Sequence, residues 1–203
     1  ARGHSVLFGG ADGAGAFTDT WSFDGTNWQL RATTGAPSLV LGAVYDPATD
    51  AFSPMAASPL SARQSPAAIW IPTKKRFFVW GGRSSTADSA DGALYDPATN
   101  TWTTLPAAPI SARSESIIGW NGTNVVVLAG LERKGLDGVG DGALYDPETN
   151  TWSALPLPPT ARTDRLGPAM ATRDDGLFLW GGASAVDFTL LGDGLVLGGT
   201  SWT

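Results

Sequence analysis

The stretch Asp91-Gly-Ala-Leu-Tyr-Asp-Pro-Ala-Thr-Asn-Thr-Trp102 decides the fold, because it recurs almost unchanged as Asp141-Gly-Ala-Leu-Tyr-Asp-Pro-Glu-Thr-Asn-Thr-Trp152. A weaker copy reads Gly42-Ala-Val-Tyr-Asp-Pro-Ala-Thr-Asp-Ala-Phe52, and divergent copies end at Trp28 and Trp202. Equivalent rings are spaced by 50 residues, as Tyr45, Tyr95 and Tyr145 and as Phe52, Trp102, Trp152 and Trp202. Self-similarity at such a period indicates a repeat architecture.

Each copy has the residues of a β-hairpin. Asp96-Pro97 sets φ at the first turn position, and Asn100 tolerates the left-handed conformation that closes a four-residue loop. The Tyr and Trp supply large apolar faces that one small sheet must bury against its neighbours. A lone four-stranded sheet cannot do this in water, so we expect the sheets to repeat around an axis.

Two further elements precede the hairpin. The first is an apolar strand that ends in two small residues, where glycine allows positive φ; it occurs at 7–10, 77–82, 125–130 and 177–182. The second is an Ala-Arg pair followed by a short apolar stretch, with the arginines Arg2, Arg63, Arg113 and Arg162. The apolar runs are continuous rather than alternating, which predicts strands buried on both faces, and no helical period occurs.

These patterns predict an all-β chain of four-stranded antiparallel sheets forming one domain over residues 1–203. The repeats cover about 1–32, 36–58 (incomplete), 62–108, 112–158 and 161–203. From Trp28 to Tyr45 there are only 17 residues, whereas Trp102 to Tyr145 spans 43. We therefore expect that segments of the natural chain near 6–7 and 38–39 are absent from this sequence, with degenerate repeats as the alternative. An intact mass equal to that of the printed sequence would contradict the first interpretation.

Composition narrows the possible functions. Hydrophobic residues make up 42% and charged residues 16%, which favours a packed core over disorder. The net charge is -6, and the lysines (Lys74, Lys75, Lys134) form no basic run, so we predict no nucleic-acid partner. No apolar run of 18 residues occurs, so we predict no membrane insertion. The lack of cysteine excludes disulfides, thiolate catalysis and Cys-based zinc sites, and we predict no cofactor and no metal.

An Arg-led strand, a strand ending in Gly-Gly, a Tyr-Asp-Pro turn and a Trp seven residues after the Tyr together resemble the kelch repeat. The resemblance covers nearly the whole chain, with full copies at about 63–105 and 113–155. It implies that each repeat is a four-stranded blade of a β-propeller, a ring that six or seven blades usually close. It also implies that the strand after the Ala-Arg pair lies nearest the axis and the Trp strand outermost.

Residues that recur in every copy stabilise the repeated fold. We therefore expect the functional residues at positions where the copies differ. The longest variable loops, 83–90, 131–140 and 183–190, occupy corresponding places and should gather on one face. The repeated arginines either tie the incoming loop to backbone carbonyls or form a ring of guanidiniums that binds carboxylates. In kelch propellers that bind acidic peptides, arginines near these strand starts line the mouth. The resemblance thus implies a site formed by Arg63, Gln64, Arg113, Glu115, Arg162, Asp164 and Arg165.

Three functions fit this sequence. The first is a non-catalytic binding or scaffolding module that recognises a protein, peptide or glycan through one propeller face. The second is a sugar-acting enzyme resembling sialic-acid mutarotases, with carboxylates such as Glu115 or Asp164 acting beside Arg165. The third is a structural subunit of a bacterial surface or filament assembly. His4, the sole histidine, matches a framework position of kelch repeats, and no nucleophile elbow occurs, so we predict no catalytic residue. We expect an extracellular or periplasmic location.

Overall fold

The computed structural model describes residues 5–12, 15–23, 27–30, 43–46, 48–133, 137–157, 163–173, 176–184, 187–198 and 201–203. Within these ranges the regular structure is β-strand throughout and no helix occurs, so the all-β prediction is confirmed. The chain divides into two compact units, residues 1–57 with 99–101, and residues 58–98 with 102–203. The single domain over 1–203 stays a prediction.

The first unit contains a three-stranded antiparallel sheet, ordered β1 (Ser5–Asp12), β2 (Gly15–Phe23) and β3 (Trp28–Leu30), and a hairpin of β4 (Ala43–Asp46) with β5 (Ala51–Pro54). The expectation that the first apolar strand ends at its glycine pair is wrong here. The ladder continues past a bulge after Phe8, with Gly10 opposite Phe17, because β2 follows at once and supplies a partner.

Three four-stranded antiparallel sheets follow along the chain. Sheet I is ordered β6 (Ala67–Ile71), β7 (Arg76–Trp80), β8 (Gly92–Asp96) and β9 (Thr101–Thr104). In sheet II the order is β10 (Ile117–Trp120), β11 (Val125–Leu128), β14 (Gly142–Asp146) and β15 (Thr151–Ala154). Sheet III is formed by β17 (Ala169–Arg173), β18 (Gly176–Trp180), β20 (Gly194–Gly198) and β21 (Ser201–Trp202). Two short ribbons pair β12 (Leu131–Glu132) with β13 (Asp137–Gly138), and β16 (Arg165–Leu166) with β19 (Ala183–Ser184).

The hairpin loops have the predicted backbone. Asp50, Asn100 and Asn150, at equivalent places, have φ of 51°, 54° and 55°, the left-handed conformation that Asn and Asp tolerate. The aspartate that opens each loop accepts a hydrogen bond from the backbone N–H two residues on. This contact, made by Ala48 and by Glu148, lowers the pKa of Asp46 and of Asp146.

The core of the second unit lies between successive sheets. Phe78 and Trp80 of β7 point toward sheet II, where the ring of Tyr145 lies 5.5 Å from Phe78 and the ring of Trp152 lies 6.1 Å from Trp80. Val126 and Leu128 of β11 point the other way, toward Leu177 and Leu179 of sheet III, among other residues of that cluster. All four residues of β11 are fully buried, which confirms that its continuous apolar run is buried on both faces.

The outermost tryptophans join neighbouring sheets through their indole N–H groups. Trp152 of sheet II donates to the carbonyl of Pro106, which follows sheet I, at 3.1 Å. Trp202 of sheet III donates to the carbonyl of Pro156, which follows sheet II, at 2.6 Å. A Trp at this place both packs on its sheet and fixes the linker before it, so its recurrence at 50-residue spacing has a structural cause.

Candidate functional site

One arginine at the start of each sheet of the second unit makes the same contacts. Arg63 Nη1 donates to Asp91 Oδ1 at 2.8 Å and to the carbonyl of Gly81 at 3.1 Å. The hydrogen bond from Arg63 lowers the pKa of the Asp91 carboxyl. The equivalent sets are Arg113 with Asp141 and the carbonyl of Ala129, and Arg165 with Asp193 and the carbonyl of Gly181. In each set the aspartate follows the arginine by 28 residues.

The third arginine of this series is Arg165, whereas the Ala-Arg pattern assigned Arg162. The backbone supports Arg165, because the second residue after each arginine is left-handed: Ser65, Glu115 and Gly167 have φ of 48°, 57° and 58°. Arg162 itself lies outside the described residues, as do Arg2 and His4. The sequence prediction chose the wrong arginine in this copy, because the arginine of the Ala-Arg pair lies three residues before the one that makes the contacts.

The arginines of sheets II and III are framework residues. Arg113 and Arg165 are fully buried, and their guanidiniums donate to backbone carbonyls and to an aspartate. A buried charge is tolerable only while its partners remain, so these groups cannot turn toward a ligand. Of the two roles that the sequence left open, tying the incoming loop to carbonyls is the one that these contacts support.

Two variable loops begin from matching backbone ladders. Gln64 and Arg83 exchange N–H to carbonyl bonds of 2.8 and 2.9 Å, and Ser114 and Leu131 exchange bonds of 3.0 and 2.8 Å. The described starts of loops 83–90 and 131–140 therefore lie at equivalent places, and residues of both line one cleft. That all three variable loops gather on one face stays a prediction. No lining residue of the cleft described below comes from the third loop, 183–190.

These two loops and the start of sheet I enclose an open cleft of about 780 Å³. It is lined by Ala62, Arg63, Gln64, Arg83, Ser84, Ser85, Asp88, Ser114, Leu131, Glu132 and Arg133. A second cleft of about 570 Å³ adjoins it and shares Asp88, Glu132 and Arg133 with it. Nine of the eleven lining residues are polar or charged, and both signs of charge are present, so the larger cleft suits a ligand with hydrogen-bond donors and acceptors.

The charged groups of the cleft form ion pairs and hydrogen bonds with one another and with the loops. Arg83 Nη2 lies 3.2 Å from Glu115 Oε1, and both side chains are about one third exposed. The backbone N–H of Arg133 donates to Asp88, and its guanidinium donates to the carbonyl of Ser84 at 3.0 Å. The hydroxyl of Ser111 donates to Glu132. The loops are thus cross-linked, and the cleft has a defined shape.

Two buried polar atoms of the cleft residues have no hydrogen-bond partner within the described part of the chain. The hydroxyl of Ser114 is one of them, on a residue that is 1% exposed. The other is Asp88 Oδ1, whose sister oxygen accepts from Arg133. A buried hydroxyl or carboxylate oxygen without a partner costs about 1–3 kcal/mol, and native proteins contain few of them.

The structure divides the predicted site residues into separate groups. Arg63 and Gln64 line the cleft, and Glu115 contacts it through Arg83. Arg113 and Arg165 are buried in the framework, and Asp164 accepts a hydrogen bond from the hydroxyl of Ser184 at 3.0 Å, away from the lining residues. The sequence prediction of the site left out Arg83, Asp88, Glu132 and Arg133. Their loops were flagged as variable, but loop variation does not say which side chains turn inward.

Comparison with known proteins leaves the chain without an assigned family: no family model and no curated protein matches it. Within the described ranges, no three His, Cys, Asp or Glu residues come together as a metal would require. In the same ranges, no helix has the length and apolar character that crossing a bilayer demands.

Proposed function

We propose that this chain is a kelch-type β-propeller that acts as a non-catalytic binding module, with the cleft between loops 83–90 and 131–140 as its ligand site. Support for the propeller comes from three sheets that pack in chain order, with the first strand of each (β6, β10, β17) in contact with the next. The repeated Arg–Asp contact and the repeated Trp–Pro contact also support it.

The observation that carries the ligand site is the cleft itself, which residues from two variable loops line and which hydrogen bonds between those loops hold in shape. Ser85 and Arg133 are exposed in its lining and can reach a bound molecule. A protein loop, a peptide or a glycan supplies the mixed donors and acceptors that such a lining needs.

The cleft is better suited to binding than to catalysis, because the carboxylates of the cleft already accept hydrogen bonds from neighbouring residues or form an ion pair with one of them. Glu132 accepts from Ser111, Asp88 accepts from Arg133, and Glu115 is paired with Arg83. A general acid or base needs a carboxylate aimed at the substrate. These contacts instead give a preorganised surface whose hydrogen bonds orient a ligand.

The test is a screen of the purified chain against a peptide array and a glycan array, followed by calorimetry with the strongest compound. Ser85→Ala should weaken binding about 3–10-fold, the value of one hydrogen bond of about 0.5–1.5 kcal/mol, because Ser85 is exposed in the lining of the cleft. Its thermal stability should match that of the wild type, because the side chain removed is exposed.

Ser153→Ala is the matched control, since Ser153 is exposed on the outer strand of sheet II, outside the cleft. Arg133→Ala should also weaken binding. The proposal fails if neither array yields a ligand, or if the ligand found binds Ser85→Ala and Arg133→Ala as tightly as the wild type.

A further inference from the structure

The turn between the first two strands of sheet II contains Asn121-Gly122, the one Asn-Gly pair in the sequence. β10 ends at Trp120 and β11 begins at Val125, and these two residues pair with each other, so the loop between them is short. The N–H of Asn121 donates to the carbonyl of Asn124 at 3.2 Å and closes the loop. Because all of β11 is buried, the strands hold this turn in one shape.

The side chain of Asn121 is held by two backbone N–H groups of the same turn. Its Oδ1 accepts a hydrogen bond from the N–H of Thr123 at 3.1 Å and another from the N–H of Asn124 at 2.7 Å. Donors that are fixed in place stabilise negative charge on a carbonyl oxygen better than water, which must first reorient. The turn therefore favours attack of a nucleophile on Asn121 Cγ, because the charge that develops on Oδ1 meets two donors.

The nucleophile for this attack is the next backbone nitrogen, that of Gly122. Bond formation between this nitrogen and Asn121 Cγ closes a five-membered ring, and glycine has no side chain to hinder it. Gly122 is exposed, and a Cβ there would meet nothing within 4 Å, so base and water reach the nitrogen. Its N–H makes no hydrogen bond to another residue that the structure describes. The attacking nitrogen is thus accessible.

Other asparagines and aspartates of the chain lack one of these features. The remaining asparagines precede tryptophan, threonine or valine, whose bulky or β-branched side chains crowd the attacking nitrogen; they are Asn27, Asn100, Asn124 and Asn150. Asp91 and Asp141 do precede glycine, but each forms an ion pair with an arginine. A carboxylate anion is a poor electrophile. The Asn121-Gly122 turn therefore combines an activated carbonyl with an accessible nitrogen.

We propose that Asn121 is a self-modification site, at which the folded protein converts its own asparagine to aspartate and isoaspartate. The Gly122 nitrogen loses its proton to base and forms a bond to Asn121 Cγ. The Cγ–Nδ2 bond then breaks, and ammonia leaves with a proton taken from water. Water opens the resulting succinimide, at Cγ to give isoaspartate's isomer aspartate and at the main-chain carbonyl carbon to give isoaspartate.

The overall reaction consumes one water, releases one ammonia and needs no electron donor or acceptor. It adds one negative charge to a chain whose net charge is already -6. The ligand cleft takes no part in it, because no residue of this turn lines the cleft.

The two products affect the turn differently. Aspartate keeps an oxygen where Oδ1 was, and its charge strengthens the hydrogen bonds from the N–H groups of Thr123 and Asn124. Isoaspartate routes the main chain through Cβ and Cγ of residue 121, which adds one backbone atom to a short loop. The N–H of residue 121 and the carbonyl of Asn124 then no longer oppose each other. We therefore expect the isoaspartate form to be less stable than the aspartate form.

The experiment incubates the purified full chain in mildly alkaline buffer and follows each asparagine by peptide mapping with mass spectrometry. The peptide containing Asn121 should gain one mass unit, and an isoaspartyl methyltransferase should label part of it. Peptides with Asn100 and Asn150 are controls within the same digest and should stay unchanged. Asn121→Ser keeps an oxygen acceptor but has no amide to lose, so this variant should release no ammonia from the turn.

The contribution of the turn is measured by repeating the incubation on the same chain unfolded in guanidinium chloride at the same pH. The folded chain should react about 3–10-fold faster, the value of about one net hydrogen bond to the developing oxyanion. Circular dichroism verifies the folded and unfolded states. Asn121→Asp supplies the reference for the aspartate product, and the isoaspartate product, separated by ion exchange, should melt at a lower temperature than this variant.

Three results would overturn the proposal. An Asn121 that stays unmodified in the folded chain while it reacts in guanidinium chloride would mean that the fold protects the residue. Equal rates in the two states would mean that the two N–H donors give no assistance. Modification of Asn100 or Asn150 as fast as that of Asn121 would show that the turn confers no selectivity.

Discussion

Trp80 and Trp180 stand at the same place in two copies of one repeat, yet only Trp80 is buried. Trp80 is covered by Trp152 of the neighbouring sheet, whereas Trp180 is half exposed and stacks on Phe178 of its own strand. The local sequences, Phe-Val-Trp-Gly-Gly and Phe-Leu-Trp-Gly-Gly, are nearly identical. The environment of a repeated residue is thus set by the adjoining sheet, and equal residues should differ in their contribution to stability.

The largest difference is expected between Trp80→Ala and Trp180→Ala. Removing Trp80 should lower the free energy of unfolding by about 3–5 kcal/mol, because a large cavity opens between sheets I and II. Removing Trp180 should cost about 1–2 kcal/mol, since half of the ring is already in water. Urea unfolding measures both. Equal losses would contradict the comparison.

Trp80→Phe refines this prediction. The indole N–H of Trp80 is buried without a hydrogen-bond partner in the described part of the chain. Phe removes that unpaired donor, worth about 1–3 kcal/mol, while keeping most of the apolar contact. We expect Trp80→Phe to retain much of the stability that Trp80→Ala loses. A loss as large as that of Trp80→Ala would show that the indole ring shape matters more than its unpaired N–H.

The next largest difference is expected between a buried and a surface arginine. Arg113 is fully buried against Asp141 and three carbonyls, whereas Arg76 pairs with Asp96 at 2.7 Å with a side chain that is 36% exposed. Arg113→Ala should cost about 3–5 kcal/mol, because its partners lose their donors. Arg76→Ala should cost less than about 1 kcal/mol.

Arg113→Lys should not restore stability, since one ammonium cannot reproduce the fork of donors that the guanidinium offers. Thermal and chemical denaturation of the three variants would provide the comparison. If Arg113→Lys were as stable as the wild type, the contacts of the guanidinium to Asp141 and to the carbonyls would not be what stabilises the loop.

A smaller difference is expected at the residue after the central strand. Gly81 has φ of +68°, and a Cβ there would lie 2.8 Å from the carbonyl oxygen of Arg113. Ala129, at the same place in sheet II, already holds a methyl group at φ of 55°. Gly81→Ala should cost about 1–2 kcal/mol or more from the left-handed backbone and the clash. Ala129→Gly should change stability by less than about 1 kcal/mol, since relieved strain offsets lost packing. Melting temperatures of both variants test this.

The smallest effect on stability is expected when the pH is lowered. The Arg63 hydrogen bond holds the pKa of Asp91 below its ordinary value of 3.8. The folded state therefore binds fewer protons than the unfolded state near that pH, and stability falls as the pH drops below about 3.8. Asp91→Asn should be less stable at neutral pH and lose less on acidification. A variant whose acid unfolding curve matches that of the wild type would show that this pair contributes nothing.

Much of the fold follows from the printed sequence. The 50-residue spacing of Tyr and Trp, the Asp-Pro turns and the continuous apolar runs predict antiparallel four-stranded sheets, and sheets I, II and III have that form. Local interactions explain this success, because turn chemistry and side-chain alternation act over a few residues. The register of the third arginine was missed, since Arg162 matches the Ala-Arg pattern while Arg165 makes the contacts.

The candidate site was predictable only in part. Gln64 and Arg63 were named from their place in the repeat, and both line the cleft. Asp88 and Arg133 were not, because their role depends on a hydrogen bond between loops 45 residues apart. No spacing rule covers such a contact, since each loop differs from its counterparts in the other copies.

The sequence by itself determined the strands, the hairpins and the framework positions of this protein, because each depends on neighbours close along the chain. Only the tertiary structure decided which copy of an identical residue is buried, which arginine holds a loop, and where two buried polar atoms are left unpaired. These properties depend on what lies across from a side chain. In a repeat protein, identical sequences pack against different neighbours. The same residue can therefore be buried in one copy and exposed in another.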